Sequence, residues 1–340
     1  MPEPPTRPRV LSGIQPSGDL HLGNYLGALR NWVAEQDRYE NFFCIVDLHA
    51  LTVPQPPAEL RRRTLDVAAL YLACGLNPAT CEIFIQSHVA AHAQLGWIIT
   101  CSTPMGWLER MTQFKQKSQG AGRERVGTGL FVYPALMAAD ILLYDADLVP
   151  VGDDQRQHIE LCRDVAQRIN HAYGDVLKVP APLIRDVGAR IMGLDDPEMK
   201  MSKSVAVERP GHAVFMLDAP DLIRRKVMRA KTDTAPEVGD PVGAGIANLL
   251  DIYAACTGGT AATAYAEFAG KQYGSVKAAV ADAVVAVLEP IQGRFAELRE
   301  DEGELEALLR RSAGRASEIG DVTLARVEDA FGMVPARSRG

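Results

Sequence analysis

Short apolar runs alternate with segments of helical period over residues 9–173, and this alternation limits the fold more than any other feature. The runs lie at 9–14, 41–46, 82–86 and 147–152. Helical patterns lie between and after them, at 21–38, 58–74, 91–101, 105–117, 130–144 and 155–173. Strands separated by helices form a parallel sheet covered on both faces. The run Asn41-Phe-Phe-Cys-Ile-Val46 is apolar at nearly every position, as a strand buried on both faces should be. Beyond about residue 205 the strand signal stops. Residues 217–330 carry helical patterns only, as at 222–228, 247–256, 275–288 and 304–315. The expected fold class is α/β, a parallel-sheet domain over 1–205 followed by an all-helical region over 206–340. The last helices are expected to pack back on the first domain. Ligands of such sheets bind beyond the carboxyl ends of the strands, so the turns at 13–24, 47–52, 86–92 and 151–158 hold the candidate site.

Composition narrows the setting. With 47% apolar residues the chain can bury a sizeable core. Lys and Arg number 36 against 43 Asp and Glu, a formal charge of -7. An overall basic nucleic-acid coat is excluded, although a local basic cluster is not. The six cysteines include no Cys-x-x-Cys pair and sit mostly among apolar neighbours, which points to free thiols and a reducing compartment. No zinc ribbon or other resident metal site is expected. No apolar run reaches the roughly eighteen residues of a membrane span, so a soluble cytoplasmic protein with no membrane partner is expected.

Two segments carry chemistry. The first turn reads Gly13-Ile-Gln-Pro-Ser-Gly-Asp-Leu-His21-Leu-Gly-Asn24. A strand, a glycine-containing turn and a helix start form a natural anion site, because free backbone N–H groups and the helix dipole favour phosphate there. It is neither a dinucleotide-binding glycine fingerprint nor a Walker loop. The second segment, Lys200-Met-Ser-Lys203-Ser204, puts two lysines and two hydroxyls in five residues, which suits a grip on polyphosphate. Taken singly, one reads as an ordinary turn and the other as a solvated linker.

Together they resemble the paired motifs of the class I aminoacyl-tRNA synthetases. Further segments resemble the bacterial tryptophanyl-tRNA synthetase family in matching order and spacing. These are Phe43-Cys-Ile-Val-Asp-Leu-His49-Ala, Glu109-Arg-Met-Thr-Gln-Phe-Lys115, Tyr133-Pro-Ala-Leu-Met-Ala-Ala-Asp-Ile-Leu-Leu-Tyr144, Val149-Pro-Val-Gly-Asp-Asp-Gln-Arg-Gln-His158 and Val187-Gly-Ala-Arg-Ile-Met192. The likeness is dense over 9–204 and weaker through the helical region.

The resemblance implies a Rossmann-like catalytic domain and a two-step reaction. Tryptophan and ATP give tryptophanyl-adenylate and pyrophosphate, and tryptophan then passes to the ribose of tRNA(Trp). It implies ATP with Mg2+ held mainly by the ATP phosphates, and a homodimer. Catalytic roles fall to His21, Asn24, Lys117, Lys200, Ser202 and Lys203, with Lys115 adding charge. The ATP site comprises Gln15, Pro16, Ser17, Gly18, His21, Gly23, Asn24, Gly152, Asp153, Asp154, Lys200, Met201, Ser202 and Lys203. The tryptophan pocket comprises Leu11, His49, Tyr133, Met137, Asp140, Val149, Val151 and Gln155, with Asp140 accepting the indole N–H. Asp140 sits among apolar neighbours, where an unpaired carboxylate would be costly. The basic run Arg224-Arg225-Lys226 is expected to face tRNA.

The chain departs from the family pattern at Leu11, where Phe is frequent, at Val205, where an acid is common, and over 104–108 and 120–127. The alternatives are a tyrosyl-tRNA synthetase, a non-catalytic tryptophan- or tRNA-binding paralogue, and a small-acid adenylating ligase.

Overall fold

Phe42, Phe43, Cys44 and Ile45 are successive residues of one strand, and none is more than 1% exposed. Successive side chains of a strand point to opposite faces, so a run like this needs cover on both sides. Phe43 and Ile45 enter one apolar cluster, Phe42 and Cys44 the other. The computed structural model that shows this describes residues 7–112, 127–150, 152, 155–183 and 190–335.

The sheet has five parallel strands: β1 (Arg9–Ile14), β2 (Glu40–Ile45), β3 (Cys81–Ile85), β4 (Leu148–Pro150) and β5 (Ala181–Leu183). Their spatial order is β3-β2-β1-β4-β5. The order reverses direction at β1, and the crevice outside the carboxyl ends of β1 and β4 is the natural ligand site. β5 has no counterpart in the sequence reading. It lies in Val179-Pro-Ala-Pro-Leu183, and proline is tolerated there because β5 is an edge strand. β4 is shorter than expected, with Val151 outside the described residues.

The helix expected over 21–38 is composite. It runs as α-helix over Leu22–Asn24, π-helix over Tyr25–Leu29, α-helix over Arg30–Glu35 and 3-10 helix over Gln36–Arg38. Its apolar face, Leu22, Leu26, Leu29 and Trp32, packs with the Pro57–Ala73 helix on one side of the sheet. The helices Ala91–Ser102, Gly129–Leu143 and Arg156–Tyr173 cover the other side. The helix expected over 105–117 is described only as Met105–Glu109.

Past residue 205 the principal elements are the helices Pro220–Met228, Ala244–Thr257, Ala261–Phe268, Tyr273–Glu300 and Glu302–Ala330. The first apolar cluster runs on from the sheet into these helices, through Ile223, Leu249, Val284 and Leu309. Among the described residues, no helix is long and apolar enough to cross a membrane.

The Glu302–Ala330 helix lies against edge strand β3 and ties it down. The Ile83 N–H donates to Ser312 Oγ at 2.7 Å, and that hydroxyl donates to Glu82 at 2.6 Å. Arg315 binds the same carboxylate at 2.7 Å. Further along, Arg326 binds Asp145 at 2.6 Å. An unpaired edge N–H is satisfied and shielded in one step. Ser312→Ala removes the acceptor from a buried N–H. It is expected to lower unfolding free energy by about 1–3 kcal/mol, measured by urea denaturation.

Candidate active site at the carboxyl ends of the strands

A cavity of about 350 Å³ opens at the crevice between β1 and β4. β1 contributes Leu11, Ser12 and Gly13, and the end of β2 contributes Cys44 and Val46. The Gly129–Leu143 helix contributes Tyr133, Met137, Asp140 and Ile141. Val149, Pro150, Gly152 and Gln155 line it from β4 and the chain beyond, and His49 and Thr52 line it from the segment after β2. Seven of the eight residues expected around the amino acid therefore line one cavity; the eighth, Val151, lies outside the described residues. Lys115, Lys117, Asp153 and Asp154 lie outside them as well.

Asp140 is 3% exposed, on the inner face of its helix. Burial alone would raise its pKa. That effect is outweighed by the charge and hydrogen bond of His49 and those of His92, so the carboxyl is held below its ordinary value of 3.8. His49 Nε2 is 2.7 Å from one oxygen; His92 Nδ1 and Gln86 Nε2 are each 2.7 Å from the other. His92 Nε2 in turn meets the Tyr144 hydroxyl at 2.8 Å. A carboxylate offers about four acceptor positions, and the described residues fill three. Tyr133 OH meets His158 Nε2 at 2.9 Å beside the same cavity.

Gln86, His92 and Tyr144 have no role among the residues expected from the sequence. The only signal for them is indirect: the turn 86–92 follows a strand end, and a buried acid at 140 needs donors.

The second half of the site is the first turn and the Lys200–Ser204 segment. Gly18 has φ +78°, a left-handed turn conformation that favours glycine. The turn's carbonyls face Lys203, whose Nζ lies 3.2 Å from Gly18 O and 3.5 Å from Gln15 O. Gln15 is anchored through Nε2 to His49 O at 2.8 Å, which links the two halves. Burial lowers the Lys203 pKa from 10.5 to about 8, with Asp19 opposing and Arg63 assisting.

His21 is 5% exposed, and burial, then Lys203, Lys200 and His212, lower its pKa to about 3. It stands as a neutral imidazole. Its backbone N–H donates to Asn24 Oδ1 at 3.0 Å, and Gly23 abuts its ring. Ser202 caps the short helix Lys203–Glu208, accepting from Val205 N, and Met201 is buried. Lys200 is exposed at the segment's start.

The three basic residues at 224–226 separate. Lys226 turns inward to Asp218 at 2.6 Å and to Ala213 O at 2.8 Å. Its expected phosphate-facing role gives way to anchoring the 213–218 segment. Arg224 pairs with Asp282, and Arg225 is exposed.

The parallel sheet thus carries, at the carboxyl ends of its strands, a side-chain pocket and beside it a lysine-bearing segment packed on the first turn, the arrangement that the class I synthetase resemblance implies. Residues 4–289 match the family model for class I tRNA synthetases of W and Y, and the chain belongs to that family. A tryptophan–tRNA ligase of Thermosynechococcus vestitus is 53% identical over 330 residues, 95% of this chain and 99% of that protein. The solved tryptophanyl-tRNA synthetase of Mycoplasma pneumoniae is 33% identical with a TM-score of 0.88, over 97% of this chain and 99% of that one. That of Campylobacter jejuni, complexed with ADP and tryptophan, is 32% identical with a TM-score of 0.82, over 96% and 100%.

Asp140→Asn keeps the shape but leaves buried donors facing an amide. It is expected to cost about 3 kcal/mol or more at pH 7. A depressed carboxyl pKa stabilises the fold fully above the ordinary value of 3.8 and loses that contribution as pH falls below it. The difference between the two proteins, read by urea denaturation across pH, should therefore shrink on the acid side.

Proposed function

We infer that this enzyme is a tryptophan–tRNA ligase. The observation that carries the reading is the cavity around Asp140, which keeps one acceptor position on a buried carboxylate beside the Lys203 grip. An indole N–H is donor-only and suits that position. Leu11, Met137 and Val149 supply apolar walls. Tryptophan is favoured over tyrosine by the full-length likeness to tryptophan–tRNA ligases.

The tryptophan carboxylate attacks the α-phosphorus of ATP, forming a mixed anhydride and releasing pyrophosphate. A ribose hydroxyl of the terminal tRNA adenosine then attacks the acyl carbon and releases AMP. Neither step needs a covalent enzyme intermediate, so catalysis is positioning and stabilisation of phosphate charge. Gln15, Pro16, Ser17, Gly18, Gly23 and Asn24 would frame the nucleotide from the first turn, and Gly152 from the end of β4. Lys200 and Lys203 would take the pyrophosphate charge, with Met201 and Ser202 setting their spacing. His21, being neutral, would hydrogen-bond rather than neutralise. Tyr133, Gln155 and His49 would meet the ammonium and carboxylate. Mg2+ arrives with ATP as part of the substrate.

The helical region would receive tRNA(Trp), with Arg225 the most available of the 224–226 run. The family resemblance implies a homodimer, and the exposed apolar side chains Trp97 (71%) and Met105 (67%) would be available to such a contact. This work belongs in the cytoplasm.

Amino-acid-dependent pyrophosphate exchange tests the reading: exchange should require tryptophan, and exchange with tyrosine alone would refute it. Lys203→Ala should lower the exchange kcat by about 10²–10³-fold with tryptophan affinity retained. In the free enzyme the Lys203 ammonium is lost as pH rises through about 8. A bound polyphosphate favours the ammonium, so the KM for ATP should climb above that pH, and the Lys203→Ala enzyme should lack the rise.

The chain's net charge of -7 confines RNA contact to local basic patches. Raising salt from 50 to 200 mM should therefore weaken tRNA binding far more than tryptophan binding, measured by parallel titrations.

A further inference from the structure

The segment that carries Lys200 and Lys203 is fastened from beneath by a buried histidine. His212 is 0% exposed. Its Nδ1 is 2.6 Å from Asp195 Oδ1 and its Nε2 is 3.2 Å from the Lys200 carbonyl oxygen. The other Asp195 oxygen is 3.3 Å from Arg209 Nε, and Arg209 also reaches Asp196 at 3.7 Å. Asp195 thus accepts from Arg209 as well as from the ring, and a carbonyl oxygen can only accept. Both ring nitrogens face acceptors, which an imidazole satisfies only when both carry protons.

The surrounding backbone is shaped to this ring. A β-carbon on Gly193 would overlap it, so the 193 position must be glycine for the ring to lie there. Leu194 N donates to His212 O at 3.0 Å and His212 N to Arg209 O at 2.8 Å, fixing the ring's own backbone. Gly193 N donates to Met199 O at 2.7 Å and Met201 N to Ile191 O at 3.0 Å, so the strap on either side of Lys200 is laced to the 191–193 segment.

We propose that His212, as a buried imidazolium bridging Asp195 and the Lys200 carbonyl, is a positioning residue that holds the Lys200–Ser204 segment in register for ATP. It touches no substrate. It sets where two lysines stand, and it places a fixed positive charge behind them. The charged and titratable groups around it are Asp195, with Arg209 and Asp196 behind it, Lys200 through its carbonyl, and His21, on which Lys200 and Lys203 also act. The inference rests on the reading of Lys200 and Lys203 as phosphate-facing residues. A ring with a single proton could donate to only one of these two acceptors, so the clamp needs both.

Pyrophosphate-exchange kinetics on the full chain test this. His212→Gln removes the charge and keeps one donor; Asp195→Asn keeps the ring and removes its anchor. Each should lower kcat/KM for ATP by ~10–100-fold, the scale of an ångström-sized misplacement, with tryptophan affinity at the wild-type value. Because the two act as one clamp, the double variant should lose no more than the worse single one. The loss should fall on the ATP step and leave the KM for tryptophan unchanged, a split that a merely structural histidine would not produce. Nitrogen NMR of the wild-type protein should show both His212 nitrogens protonated at neutral pH, and this readout stands even if the variants fail to fold.

Unchanged kcat/KM in His212→Gln, additive losses in the double variant, or a single neutral tautomer overturns the proposal. Failure of Lys203→Ala to affect exchange would instead overturn the reading of the segment on which it rests.

Discussion

One buried negative charge organises the catalytic half of this molecule. Asp140 would be intolerable in its apolar surroundings without donors, and those donors come from the Asp47–Ala50 turn, the end of β3 and the start of the Ala91–Ser102 helix. Meeting the carboxylate's demand draws four separate pieces of chain to one point. The cavity is what remains between them. Its shape is thus a by-product of charge solvation as much as of apolar packing, and its unfilled acceptor position is the feature a donor-bearing ring can exploit. Such networks act as units, which puts Tyr144 behind His92 among the groups that hold Asp140 although it lies one residue removed from the carboxylate.

The other half of the site solves the opposite problem. A chain with net charge -7 must present positive charge to a polyphosphate. Under the proposed function Lys203 would do so: carbonyl oxygens keep its ammonium hydrogen-bonded, and among the described residues no carboxylate is in direct contact with it. A lysine locked into a tight ion pair would have to break it before gripping phosphate; carbonyl dipoles are a weaker hold. His21, packed between Gly23 and neighbouring cations, stays neutral and adds no competing charge.

Much of this is legible in the residues themselves. The strand at 9–14 coincides with β1, and β2 and β3 fall within a residue of their expected limits, because runs buried on both faces have an unmistakable pattern. The burial of Asp140 is legible too, from Met137-Ala-Ala-Asp-Ile141. What was not legible depends on distance in the chain. Gln86 and His92 reach Asp140 from 54 and 48 residues away, and no local pattern encodes such a meeting. β5 was hidden by its prolines, which read as loop until an edge position is known. The run 224–226 looked uniform because charge is visible in a sequence and helix facing is not; Lys226 lies on the inner side, with Asp218 waiting for it.

The bond between Ser312 and Ile83 spans 229 residues. Closing so long a loop carries an entropic cost that only late, native-like packing repays. A growing chain emerging from the ribosome can therefore assemble its strands early, yet β3 stays an open edge until the Glu302–Ala330 helix arrives. The enzyme that charges tRNA for translation must itself be translated well past Ser312 before its own sheet is sealed.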